Sequence, residues 1–236
     1  NKEFGPLIRS LFVPEEGHKW GSFDYSQQEP RMTVHYAASI GNGYEGSSEL
    51  VDAYHKASTD FHQTVADLVG IERVQAKTIG LGLMYGMGKN KLATSLGVSK
   101  DEATLLISKY NRKVPFVKML SDRCMQTAND KGVIRTKKGR KCRFDMWEPK
   151  DFGLYTAETF DNAVAKYGRE NIKRAFTYKA LNRLIQGSSA DQTKQAMLSC
   201  YQAGYLPILQ LHDELCFNVN KFSMKDVKEI KEIMEN

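Results

Sequence analysis

Hydrophobic positions along this chain recur with two different spacings, and the changes between them divide it into elements. Ile8 to Phe12 and Trp20 to Tyr25 are short runs that predict strands, separated by Pro14 and Gly17. The second run delivers Asp24 at its end, where Pro30 and the spacing of Met32, Val34, Tyr36 and Ala37 open a helix. After a Gly/Ser-rich loop over 41–48, helical spacing returns at Glu49 to Lys56 and at Asp60 to Leu68. The second of these places His62 in its first turn beside Thr59 and Asp60, and it stops at Gly70. Arg73 to Tyr85 predicts a helix despite Gly80 and Gly82, and Ser99 with Glu102 forms a capping box for another reaching about Arg112. Pro115 starts a helix towards Asn129, and Asp161 to Tyr167 forms one stopped by Gly168. Arg174 to Cys200 predicts a long helix broken near Gly187. Period two then dominates from Leu206 to Val219, which predicts two strands joined at a tight turn. A last helix opens with Ser223 and Asp226 as a capping box and turns Met224, Val227, Ile230 and Ile233 or Met234 inward.

Composition adds bounds. With 236 residues and 41% hydrophobic content, the chain can bury a real core as one large domain or two smaller ones. A net charge of +6 gives a mild bias towards polyanions. Cys124, Cys142, Cys200 and Cys216 lie far apart with no CxxC pair, which argues against a zinc site or a disulfide framework and for a reducing compartment. No apolar run reaches the roughly 20 residues of a membrane span and no signal-peptide pattern is present, so a soluble, cytoplasmic protein without membrane partners is expected. The absence of an initial Met, and a last residue directly behind a helix, predict a fragment.

Five places carry candidate chemistry. His212-Asp213-Glu214 interrupts the apolar run of the last hairpin, and adjacent carboxylates on a rigid tip are a platform for a divalent cation. By itself the triplet reads first as a solvated hairpin tip, and a second carboxylate elsewhere would change that. Asp24, at a strand-to-helix junction, reads alone as a helix cap. On the helix from Arg73, the residues Arg73, Lys77, Leu81 and Tyr85 recur every four positions, a step that drifts only about 40° around the axis and keeps them on one stripe. Solvated cations on an amphipathic surface would look the same, although two glycines that cost up to ~1 kcal/mol each leave room for something to lie close to the backbone. Lys131 to Arg143 holds seven basic residues in thirteen with no acid, arranged as two arms around Lys138-Gly139, which suits either a solvated or a phosphate-contacting hairpin. Asn182 and Gln186 lie four apart on one helical face.

Taken in order, DYSQQEPR (24–31), RVQAKTIGLGLMYG (73–86) and LHDE (211–214) closely resemble motifs A, B and C of the family A DNA polymerases. KGVIRTKKGRKCRF with the WEP that follows, and ALNRLIQGSSAD (180–191), also resemble this family, with QQEPR and WEP close to phage-type members. The resemblance implies an α+β right-hand architecture in which an antiparallel palm sheet (1–40 and 179–236) brackets helical fingers (41–178). The thumb, any exonuclease domain and the last palm strands would lie outside this stretch. It implies a monomeric enzyme that binds primer-template DNA and deoxynucleoside triphosphates and adds deoxynucleotides to a primer 3′ end with two Mg²⁺ ions, for which Mn²⁺ can substitute.

Residue by residue, the resemblance makes Asp24 and Asp213 the metal ligands, together with the Tyr25 carbonyl, and puts Glu214 close by in a catalytic position. Arg73, Lys77 and His62 would grip the triphosphate, Leu81 would lie beside the sugar and base, Tyr85 at the far end near the template base, and Glu29, beside Gln27, would occupy the space a ribose 2′-hydroxyl needs. Asn182, Gln186 and His212 would face the minor groove, where acceptors common to every correct pair can be checked without reading sequence. Arg31 would support the site or the DNA backbone. Leu81, Gly80, Gln28 and Pro30 depart from the Phe or Tyr, Asn, Ile and Leu of many members; none is a metal ligand, so the departures bear on sugar discrimination and nucleotide affinity. A single-subunit RNA polymerase, which Glu29 argues against, and an inactive nucleotide- or DNA-binding remnant are the alternative readings.

Overall fold

The computed structural model describes residues 3–41, 43–56, 60–151, 153, 155–220 and 224–236. It is α+β with small antiparallel sheets, and its contacts divide the chain into two compact units, 1–28 with 189–236 and 29–188.

In the first unit, α1 (Phe4–Arg9) precedes β1 (His18–Asp24), and the chain re-enters at the second half of α10 (Ala180–Gln202), followed by β6 (Pro207–Leu211), β7 (Glu214–Asn220) and α11 (Lys225–Glu235). The sheet order is β1-β7-β6, all antiparallel. Central β7 buries Leu215, Cys216, Phe217 and Val219, and this apolar strand packs with Ala196 and Cys200 of α10 and Ile230 and Met234 of α11. Phe23 meets Phe217 edge-on at 5.5 Å, and the Tyr25 hydroxyl donates to the Met234 carbonyl at 2.8 Å, which fixes the end of β1 beneath the helix. The expected strand over Ile8 to Phe12 is not formed: the chain from Phe4 to Arg9 is helical, and α1 buries none of its residues. A short apolar run makes a strand only where a partner supplies hydrogen bonds, and β1 pairs on one side alone, with β7. The last helix buries Ile230 and Met234 as expected, but Met224 is 65% exposed because it precedes the helix. Thr59 and Ser223, expected beside His62 and in the last capping box, lie outside the described residues.

The second unit comprises α2 (Gln28–Ala38) beyond its first residue, α3 (Ser47–Lys56), α4 (Phe61–Val69), α5 (Arg73–Met84), α6 (Lys89–Leu96), α7 (Lys100–Lys113) and α8 (Pro115–Lys131). It continues with β2 (Val133–Arg135), β3 (Lys141–Arg143), β4 (Trp147–Pro149), α9 (Phe160–Tyr167), β5 (Ile172–Arg174) and the first half of α10. One core joins Val34, Phe61, Val65, Ile79, Tyr110, Phe116, Leu120, Leu181 and Ile185. The capping box at Ser99 is present in full, with Ser99 Oγ accepting from the Glu102 N–H at 3.2 Å. The helix expected from Arg174 begins only at Ala180, because Ile172–Arg174 is a strand paired with β4. It also runs unbroken through Gly187. A Cβ there would stand 3.2 Å from Thr136 Cγ2, so the glycine serves close packing rather than a break. All four cysteines are free, and among the described residues no helix is long and apolar enough to cross a membrane.

Candidate active site

In the first unit the acids meet at one end of the sheet. The register pairs Asp24, the last residue of β1, directly with Glu214, the first of β7, and the Tyr25 N–H donates to the Asp213 carbonyl at 3.3 Å. Only His212 and Asp213 connect β6 to β7, a two-residue hairpin that holds both acids on the sheet. His212 has φ +55°, at a loop position where glycine is the usual occupant, and the Gln210 amide braces it by donating to the His212 carbonyl at 3.1 Å. Among the described residues three that are not glycine have positive φ, and two of them, Gln27 (+53°) and His212, belong to the predicted site.

Burial, then the Asp213 and Glu214 carboxylates, push the Asp24 carboxyl above the ordinary aspartate range. Glu214 is tethered by Ser22 Oγ, which donates to its Oε1, with the Cys216 thiol 3.7 Å from the same oxygen. Gathered negative charge of this kind is unfavourable alone, and an all-oxygen donor set relieves it by binding a hard cation. Among the described residues no three His, Cys, Asp or Glu side chains form a ready metal cage. Mg²⁺ is typically held by one or two carboxylates with substrate phosphates and water supplying the rest.

In the second unit two groupings form. Asp60 caps α4 by accepting from the N–H groups of His62 (2.9 Å) and Gln63 (3.1 Å), and its other oxygen takes Nε and Nη2 of Arg73 at 2.8 and 2.6 Å. Burial works to raise the Asp60 carboxyl, but the Arg73 hydrogen bond, the two amides and the guanidinium charge bring it below the ordinary value. His62 is only 6% exposed and its Nδ1 has no hydrogen-bond partner. Burial lowers its pKa, Asp60 opposes the shift, and the charges of Lys77 and Arg73 add to it, so the imidazole faces two cations in its neutral form. Lys77 is exposed one turn after Arg73, and half-buried Leu81 follows a turn later without joining the core.

The second grouping surrounds Glu29. Tyr85, which caps the end of α5, donates its hydroxyl to Glu29 Oε2 at 2.5 Å, and Gln186 of α10 hydrogen-bonds the same hydroxyl. Burial and then the Glu29 carboxylate push the phenol up to about 12, so it remains a donor. Gly86, just behind Tyr85, has φ +69°, and a Cβ there would stand 2.9 Å from the Tyr178 ring. Asn182 lies half-buried one turn before Gln186, and Arg31 stacks over Tyr54 with its guanidinium carbon 4.3 Å from the ring centre.

Two features escaped the sequence reading. Asp60 is the anchor of Arg73, thirteen residues and a helix away, a distance no local pattern encodes. Gln28 is 6% exposed, and its Nε2 donates to Gln192 Oε1 (3.0 Å), Thr193 Oγ1 (3.2 Å) and the Ser189 carbonyl (3.3 Å) on α10. A glutamine where an apolar residue is common was the one available signal.

The model of DNA polymerase family A matches residues 1–236. A DNA-directed DNA polymerase of Pseudomonas phage M6 is 38% identical over 98% of this chain, and DNA polymerase I of Caldicellulosiruptor bescii is 34% identical over 98%. The POL domain of Pol1 from M. smegmatis, solved in complex with DNA primer-template and dNTP, superimposes with a TM-score of 0.72 at 27% identity, covering 98% of this chain and 38% of that one. The chain spans 37% of the length of the phage relative and 26% of the bacterial one.

Proposed function

The chain belongs to DNA polymerase family A, and from that premise we propose that the protein is a template-directed DNA polymerase adding deoxynucleotides to a primer 3′ end. The observation that carries this reading is the pairing of Asp24 with Glu214 beside Asp213 at the end of one sheet. Residues 1–40 and 179–236 would form the palm and 41–178 the fingers of a right-hand polymerase.

Asp24, Asp213 and the Tyr25 carbonyl would hold two Mg²⁺ or Mn²⁺ ions, with Glu214, tethered to Ser22, adding charge at their edge. When bound, such ions neutralise the charge that spreads over the transferring phosphoryl group and its leaving oxygen. Arg73 and Lys77 would hold the triphosphate, Arg73 being pre-oriented by Asp60 and so losing less freedom on binding. Neutral His62 beside them can offer a hydrogen bond without adding a third charge. Glu29 would stand where a ribose 2′-hydroxyl would go, held there by Tyr85 and backed by Gln27. Leu81 would lie against the sugar and base. Asn182, Gln186 and His212 would test the minor groove of the primer-template, with Arg31 supporting its backbone.

Primer extension by the intact protein on a defined template, with Mg²⁺ and one nucleotide at a time, tests the reading. Incorporation of the complementary deoxynucleotide alone is expected. Equal use of ribonucleotides would favour an RNA polymerase, and DNA binding without turnover would mark an inactive remnant.

A further inference from the structure

The hairpin of β2 and β3 lies within Lys131 to Arg143, which holds seven basic residues and no acid, and none of the assigned roles uses it. Its two faces differ sharply. Ile134 and Cys142, paired across the strands, turn inward against the core of the second unit, whereas Arg135, Lys141 and Arg143 share the outward face and Lys137, Lys138 and Arg140 occupy the exposed tip. The register sets Arg135 directly opposite Lys141, a like-charge pair that destabilises a sheet. Among the described residues no ion pair engages Arg135, Lys137, Lys141 or Arg143.

The backbone beneath these cations is firmly held. The Lys137 N–H donates to Tyr36 Oη at 3.1 Å, and that hydroxyl lies 2.7 Å from Ser188 Oγ. Thr136, buried, accepts from the Arg140 N–H through Oγ1 at 3.1 Å, and its methyl packs closely on Gly187. The charge also reaches its neighbours: burial and then Lys137 lower the pKa of His35. A fold that anchors a hairpin yet keeps like charges facing each other accepts a cost in stability, and a polyanion would offset it. A protein partner fits less well, because the outward face has no aromatic anchor and lysine is depleted at protein–protein interfaces.

We propose that the outward face and tip of this hairpin grip the phosphodiester backbone of duplex primer-template without reading its sequence. The inference rests on the polymerase reading above and adds a contact surface to it. Each phosphate neutralised by a cation releases condensed counterions, so each contact steepens the fall of affinity with salt by about 0.9 in the log–log slope.

The test measures affinity of the intact protein for a duplex primer-template between about 50 and 200 mM salt. Replacing Arg135, Lys141 and Arg143 by Gln should make the slope shallower by about 2–3, so that roughly 40-fold less affinity is lost over that fourfold range. The tip variant Lys137→Gln with Lys138→Gln should change it by about 2, and it alters only exposed side chains should the triple variant fold poorly. A control with Lys109, Arg112 and Lys113 of α7 changed to Gln removes the same charge elsewhere and should leave the slope as it was. Thermal unfolding of the triple variant should be unchanged or shifted upward, since the Arg135–Lys141 repulsion is gone. Unchanged slopes in the hairpin variants, or an equal change in the control, would overturn the proposal while leaving primer extension intact. A wild-type protein that neither binds the duplex nor extends primers would overturn the polymerase reading along with it.

Discussion

Tyr85→Phe removes one oxygen, and its effect can be worked out from the contact between Tyr85 and Glu29. The hydroxyl donates to a carboxylate at 2.5 Å, and hydrogen bonds to charged groups are worth about 1.5–3 kcal/mol when well shielded. Tyr85 is 37% exposed, so solvent competes and a value of about 1–1.4 kcal/mol is the appropriate expectation. If that energy holds the Glu29 side chain against the 2′ position, its loss should cut the preference for deoxynucleotides over ribonucleotides by about 5–10-fold. Glu29→Ala should cut it further by removing the group altogether, with deoxynucleotide use falling less than selectivity does. Adding Tyr85→Phe to Glu29→Ala should then change nothing more, because the two side chains act as one unit. Single-turnover incorporation of dCTP and CTP opposite a template guanine, across the four combinations, gives the cycle directly. A Tyr85→Phe enzyme whose preference stays within twofold of wild type, or effects that simply add, would refute the reasoning.

Three other outcomes follow from particular contacts. Leu81 lies one turn beyond Lys77 and outside the core, so Leu81→Phe should restore a flat face against the base and lower the KM for all four deoxynucleotides a few-fold, on the order of 0.5–1 kcal/mol; an unchanged or raised KM in single-nucleotide incorporation would show that the side chain is directed elsewhere. His62 and His35 have pKa values lowered in the folded protein, so the unfolded chain takes up protons first, and stability that is constant above pH ~6.5 should fall as pH drops below it. Urea midpoints between pH 5 and 8 should show His62→Gln flattening part of that decline, and an identical profile would contradict the assignment. Gln28→Leu keeps bulk but strips Gln192 Oε1 and Thr193 Oγ1 of a donor, and chemical denaturation should register a loss of about 1–3 kcal/mol; no loss would mean water replaces the amide.

The candidate site was legible where local spacing places side chains. Period two in the last hairpin puts Asp213 and Glu214 at a tip, and a four-residue step puts Arg73, Lys77, Leu81 and Tyr85 on one helical stripe. Illegible features were those decided by partners far away in sequence. The acceptors of Gln28 lie more than 160 residues on, and the anchor of Arg73 belongs to the preceding helix. Ile8 to Phe12 reads as a short strand-like apolar run, but without a partner the chain around it forms a short helix in which Pro6, near the helix start, lacks an amide whose intrahelical bond would be missing anyway. At Gly187 propensity argued for a break, and packing against Thr136 outweighed it. Strands β4 and β5, three residues each, are too short to show any period, and α6 buries only Leu92 and Ala93.

The central claim is that Asp24 and Asp213 carry the metal-dependent chemical step, and their replacement by Asn in the intact protein tests it most directly. Asn keeps size and hydrogen bonding but removes the charge a divalent cation needs. Each variant should lose primer extension with Mg²⁺ by about a thousandfold or more, on the order of 4 kcal/mol of transition-state stabilisation, while its affinity for primer-template stays within about threefold of wild type. Since burial and then the neighbouring carboxylates hold the Asp24 carboxyl above its ordinary range, Asp24→Asn should also relieve the cost of a charge there, leaving the melting temperature without Mg²⁺ unchanged or higher and its rise on adding Mg²⁺ smaller. Turnover near the wild-type rate in either variant would contradict the account.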